Sequence, residues 1–321
     1  MGAEYNAVSK NGAQRIIPKR FILSIDPVTS GNRSPVVLAA LWMLVTLSSL
    51  LMLAIAAREL SATISTVQMI TVRNAVSFVL ICVLLQGSGW AQVKTRQGSL
   101  HLVRAVSHLV AQYAWIVALA AIPMTEVFAL EFTGPVWTVV IAAVVLGEKI
   151  NRFRILTLVL GLTGVLIILR PGFQQLYPAH FIVIFSALCF SLANVLTKKL
   201  VAKNSPLNII FYVTSIQFII TVVPAWTAWT TPNPTEWLWM AVMGVVSVTA
   251  HYSFAKAFSH ADAMVVIPMD FLRLPLAGVV AWILYQENLD PFVIIGAVVM
   301  FSGNFINIRA EKKRRDAERI S

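Results

Sequence analysis

The apolar positions of this chain come in long unbroken blocks, not at helical or alternating spacing. From Pro35 onward, runs long enough to cross a bilayer alternate with connectors of a few polar residues. A span needs about 20 apolar residues, at roughly 1.5 Å of rise each, to cross about 30 Å of hydrocarbon. On that rule the pattern predicts ten spans: 35–57, 64–86, 99–121, 125–147 and 153–170, then 179–200, 207–229, 235–258, 262–286 and 290–308. Several connectors are so short that consecutive helices must be antiparallel neighbours. The predicted fold is an all-α membrane protein. Residues 1–34 form a polar, basic tail, residues 171–178 a linker with two flanking prolines nearby, and residues 309–321 a basic tail. Ala54-Ile55-Ala56 superficially fits a signal-peptidase site. The run that contains it is long enough to span and has a counterpart in the second half, so we read it as a span.

The blocks also repeat. Set 122–148 above 261–287, at a constant offset of 139 residues, and Glu131 falls on Asp270, Phe132 on Phe271 and Glu148 on Glu287. At the same offset Tyr113 matches Tyr252, Trp115 matches Phe254, Gly164 matches Gly303 and Arg170 matches Arg309. Pro135 and Pro275 miss by one residue, which a small shift in one helix absorbs. The chain thus reads as two copies of one unit, at 35–170 and 179–308. Five spans per copy is an odd number, so the copies enter the membrane in opposite orientations. Inverted repeats of this kind are a recurrent construction of secondary transporters, with the substrate held near the midplane between the halves.

Composition supports the membrane reading: 58% of the residues are hydrophobic and 12% charged, against about 45–50% and about 25% in soluble domains. The net charge of +11 raises nucleic acid as a partner, but the placement of the charges answers otherwise. With the N-terminus inside, only Arg58 and Arg170 of the 25 Lys and Arg residues fall outside, and Arg73 and Arg273 within spans. All the others, Arg104 and Lys256 included, collect on the cytoplasmic side, which is the positive-inside bias. It predicts two cytoplasmic termini and no role for nucleic acid. Cys82 and Cys189 lie in apolar runs without a CxxC or histidine partner, so neither a disulfide nor a metal site is expected.

The stretch LEFTGPVWTVVIAAVVLGE at 130–148, followed by a glycine-bearing span ending ILRPG, resembles the EamA module of the drug/metabolite transporter superfamily. MDFLRLPLAGVVAWILYQE at 269–287, followed by GAVVMFSGNFINIR, resembles it again. The resemblance implies a multi-pass carrier of the bacterial inner membrane that moves a small organic metabolite. It also implies a central cavity lined mainly by the third, fourth, eighth and ninth spans. The wording DFLRLP is similar to branches that include riboflavin and S-adenosylmethionine uptake proteins. Amino-acid and drug exporters of the same superfamily are the alternatives. The expected partners are the small-molecule substrate and the lipid bilayer, and no cofactor is implied.

Ionisable side chains inside spans cost about 2.5–3.5 kcal/mol each on insertion scales, so they are the first functional candidates. Here they are Arg73, Glu131, Asp270 and Arg273. Mutual neutralisation, Arg73 with Glu131 and Asp270 with Arg273, competes evenly with a gating or substrate-binding role. His108 and His251 suit proton relay but are more simply core histidines. The aromatics Tyr113, Trp115, Tyr252 and Phe254 sit at repeat-equivalent places on the third and eighth spans, where they either stack on a flat ligand or pack between helices. Pro135, Pro268 and Pro275 are expected to kink the fourth and ninth spans. Gly161, Gly164, Gly296 and Gly303 suit either packing between the halves or a homodimer seam. An intramembrane enzyme is the rival from another class, but the chain carries no HExxH, GxSxG or His/Asp-rich motif. Nor does it carry a phosphate-binding GxxxxGK[ST] loop for an ATP-driven pump.

Overall fold

A computed structural model of the chain describes residues 35–146, 152–172, 175–261, 266, 269–288 and 290–320. The tail 1–34, Glu148 and Pro268 lie outside the described residues. The regular elements are helices: α1 Pro35–Leu60, α2 Thr66–Ser88, α3 Gly98–Leu119, α4 Met124–Glu131, α5 Gly134–Leu146, α6 Arg152–Leu169, α7 Pro178–Leu200, α8 Pro206–Thr227, α9 Pro234–His260, α10 Arg273–Tyr285 and α11 Pro291–Ile320. Among the described residues nine helical stretches are long and apolar enough to cross a membrane, with α4 and α5 counted together. The shorter α10 is the second half of the predicted ninth span. The chain is an all-α membrane protein. One difference lies at the C-terminus, where α11 runs on to Ile320 beyond the predicted end of its span. The segment AEKKRRDAERI is rich in strong helix formers, so nothing local stops the helix there.

Caps fix where several helices begin. Asn233 Oδ1 accepts from the Glu236 N–H at 2.9 Å while Glu236 Oε2 accepts from the Asn233 N–H at 2.7 Å, with Pro234 opening α9. Ser205 and Ser65 cap α8 and α2 through single side-chain bonds. Each cap satisfies a backbone donor that a helix start leaves open.

The packing follows the repeat. α1 packs on α9 as its counterpart α7 packs on α3, while α2 packs on α8, α6 on α11, and α4 on α10. α2 with α8 and α6 with α11 each join a helix to its own repeat mate, while α4 packs on the counterpart of α5. α6 and α11 meet glycine on glycine: a Cβ on Gly164 would come 2.6 Å from the Gly296 carbonyl oxygen, and one on Gly296 2.7 Å from that of Gly164. Thr157 Oγ1 donates to the Gly303 carbonyl at 3.0 Å across the same contact. These small residues serve packing within the chain.

Candidate functional site

The fourth and ninth spans are not kinked but broken, at equivalent places. α4 ends at Glu131, Phe132 and Thr133 form a turn, and α5 starts at Gly134. In the second half Asp270 is helical, Phe271 and Leu272 turn, and α10 starts at Arg273. Pro135 and Pro275 fall in the first turn of the second half-helix, where a missing N–H is tolerated. Neither can donate back to close the helix across the break. The turns hold by shorter-range bonds, Thr133 N–H to Leu130 O at 3.0 Å and Leu272 N–H to Met269 O at 3.1 Å.

The breaks bring the ionisable side chains together. Arg273 Nη1 lies 3.3 Å from Glu131 Oε1, and Arg273 Nη2 lies 3.9 Å from Asp270 Oδ2. Trp115 Nε1 donates to the other Glu131 oxygen at 3.1 Å. The guanidinium carbon stands 5.0 Å and 5.2 Å from the ring centres of Phe128 and Phe132, in cation–π range. Phe132 itself stacks on Phe271, centroids 4.2 Å apart and planes within 9°. Glu131 closes a half-helix and Arg273 opens one, so each charge sits at the helix end that disfavours it alone. The triad is held by its own members, with two carboxylates against one guanidinium.

Arg73 does not join it. α2 packs against α8 and α9, and Arg73 Nε donates to Ser247 Oγ of α9 at 2.9 Å. Gly244 permits this approach: a Cβ there would press 2.5 Å from Val76 and 3.2 Å from the Arg73 carbonyl. The expected Arg73–Glu131 pair is therefore replaced by Arg273–Glu131, because the helix that carries Arg73 faces a different neighbour. His251 stands one turn beyond Ser247, and its ring lies 6.3 Å from that of His108 on α3. His108 Nδ1 meets Gln217 Nε2 of α8 at 3.1 Å, and the same Gln217 nitrogen donates to Ala105 O at 3.0 Å. Arg104, one turn before His108, is buried in α3 and donates from Nε to Thr197 Oγ1 of α7 at 3.1 Å. Arg104 was grouped with the cytoplasmic-side charges although the predicted span 99–121 contains it, and the structure buries it. It lies inside a span, at helical spacing from His108, and that spacing was the signal to follow.

Of the aromatic candidates only Trp115 reaches the triad. Tyr252 meets Trp42 of α1 edge-on at 6.0 Å, and Phe254 meets Phe258 at 5.0 Å. Tyr113 and Tyr252 are about half exposed at 45% and 52%. Glu287 does both things a helix-end carboxylate can do. It pairs with Arg58 at 2.5 Å and accepts from the Met124 N–H, at the start of α4, at 3.0 Å. A groove of about 500 Å³ between α2, α8 and α9, with Val72, Val76, Phe218, Val222 and Trp237 among its walls, is almost wholly apolar and does not include the triad.

The model of the EamA-like transporter family matches this chain twice, over residues 37–170 and 178–309. The chain belongs to that family. It is similar to an S-adenosylmethionine uptake transporter of Rickettsia prowazekii, 26% identical over 71% of this chain and 78% of that one. It is similar also to a riboflavin transporter of Vibrio cholerae, 28% identical over 78% and 85%. To the pseudopaline exporter CntI of Pseudomonas aeruginosa it is 27% identical, over 76% and 86%. A crystal structure at 14% identity superposes with a TM-score of 0.60 over 86% of this chain and 98% of the other, a likeness of fold alone. The triad, Trp115 and the stacked phenylalanines thus lie in a transporter of the EamA-like family, at the breaks of equivalent spans in its two modules.

Proposed function

We propose that the protein is an alternating-access carrier of a small, cofactor-like organic metabolite in a bacterial inner membrane, with both termini cytoplasmic. The observation that carries the reading is the Glu131–Arg273–Asp270 triad on two broken half-helices. Broken helices at the midplane are where transporters expose backbone and charge to a substrate. Two carboxylates around one guanidinium let the pair exchange partners when the halves rock: one acid holds Arg273 while the other is free for substrate or a proton. Riboflavin-type and S-adenosylmethionine-type compounds are the first candidates, supported by the relatives at 28% and 26% identity. An amino-acid or drug exporter is the alternative. Carrier action is favoured over intramembrane catalysis because the charges at the breaks neutralise one another instead of pairing a nucleophile with a base.

The test is uptake of radiolabelled riboflavin and S-adenosylmethionine into proteoliposomes, alongside complementation of auxotrophs for each. Saturable uptake of one compound, lost in Asp270→Asn, is expected. No uptake of either by correctly inserted protein would remove both candidates and leave the exporter reading.

A further inference from the structure

The second polar cluster has a charge problem that the triad does not. Arg73 is 5% exposed and Arg104 8%. Among the described residues neither pairs with a carboxylate, and the Nη1 nitrogen of each is buried without a hydrogen-bond partner. The hydrogen bonds they do make go to hydroxyls, those of Ser247 and Thr197. Burying even one unpaired charge costs several kcal/mol. Two of them flank a single place. Arg104 is one turn from His108, Arg73 is bonded one turn from His251, and the two imidazoles lie 6.3 Å apart. Both guanidiniums act electrostatically on both imidazoles. Next to this centre, one turn beyond His108, the buried Gln112 Oε1 is an acceptor without a donor. His251 itself is exposed on α9.

We propose that Arg73 and Arg104 form an oxyanion subsite, and that the transported solute carries a carboxylate or phosphate that docks there between α2, α3 and α9. The proposal rests on the carrier reading above and names the charge of its cargo. A guanidinium presents its donors in a planar fork matched to carboxylate and phosphate, and a bound anion supplies the compensation that the chain itself omits. Gln112 then takes a donor adjacent to the anionic group. This chemistry favours an S-adenosylmethionine-type cargo, which has a carboxylate, over riboflavin, which has none. The burial of both arginines argues for a solute in the bundle over a lipid headgroup at its surface.

The test is binding, so it answers whether or not the uptake assays succeed. Thermal unfolding of the purified full chain is followed in detergent with sodium acetate, sodium phosphate or short-chain phosphatidylglycerol, against sodium chloride at equal ionic strength. A ligand that binds only the folded state raises the midpoint in a saturable way. Acetate or phosphate is expected to do so in the wild type, and the saturable part is expected to vanish in Arg73→Gln/Arg104→Gln. What remains in that variant measures the general effect of the salt on burial. Should the Gln pair not fold, Arg73→Lys/Arg104→Lys keeps the charge but loses the fork, and a weakened response is expected. Which of the two anions protects separates carboxylate from phosphate cargo. No saturable rise with either anion, a response to the lipid alone, or an undiminished response in whichever pair of substitutions folds would each overturn the proposal.

Discussion

Phe132 and Phe271, equivalent residues of the two modules, stack face to face with centroids 4.2 Å apart. Two repeat mates in mutual contact join the modules at equivalent positions. Phe301 of α11 braces it, 4.3 Å from Phe271. A stacked aromatic pair is worth about 0.5–1.5 kcal/mol beyond the area it buries. Phe132→Leu and Phe271→Leu keep most of the apolar volume and remove the stack. The double variant is expected to lose less unfolding free energy than the sum of the singles, by about that amount. Additive losses would mean that the rings do not couple.

The triad makes a second prediction about which substitutions rescue which. Arg273→Gln strands Glu131 and Asp270 in the bundle, and removing one partner of a buried pair typically costs about 3–5 kcal/mol. Expression is expected to fall sharply in that variant. Arg273→Gln with Glu131→Gln leaves a single acid and is expected to restore membrane levels. If the triad exchanges partners during transport, the restored protein still fails to move substrate. Wild-type uptake at matched protein levels in the double variant would reduce the triad to charge compensation.

Much of this was legible in the chain because a membrane helix needs no amphipathic pattern. Its length and apolarity suffice, so ten spans could be placed before any packing was known, and among the described residues nine helical stretches are long and apolar enough to cross, with the shorter α10 in the remaining one. Glu131 and Asp270 were legible as mates through the repeat. What the repeat could not supply was the partner of Arg73, since that depends on which helices touch. α2 lies against α8 and α9, and Ser247 carries only a hydroxyl to mark the place. Arg104 was hidden by a general regularity, that basic residues gather near span ends on the cytoplasmic side: this one lies in the first two turns of α3, yet it is buried. The breaks at Phe132 and Phe271 were half legible, because a proline one turn into a helix announces a disruption without saying whether it bends or divides.

Topology gives a third prediction. Arg170 and Arg309 are repeat equivalents, and five spans separate the ends of the two modules. Reporter fusions placed after each are expected to lie on opposite sides of the membrane, with the one after Arg309 cytoplasmic. The same side for both would end the inverted-repeat argument, whatever the function.

The prolines give the last. Pro135 follows Glu131 by four positions, the spacing at which an N–H would donate to the Glu131 carbonyl and carry α4 into α5. Pro275 stands in the same relation to Phe271. Proline costs a helix interior about 3 kcal/mol relative to alanine, so each Pro→Ala variant removes the main local obstacle to a continuous span. Gly134 and Thr133 remain as weaker obstacles on the first side, and Arg273–Glu131 pairing still pulls on the turn. Pro135→Ala is therefore expected to keep or raise thermal stability while slowing amide exchange over residues 132–136. Straightening the span rotates Glu131 away from Arg273 and Trp115, so uptake should fall although more of the helix is formed. A stability gain joined to a transport loss separates this account from simple misfolding, which would lower both. Unchanged exchange together with wild-type uptake in Pro135→Ala and in Pro275→Ala would show that the breaks belong to the turns themselves and that the prolines merely occupy them.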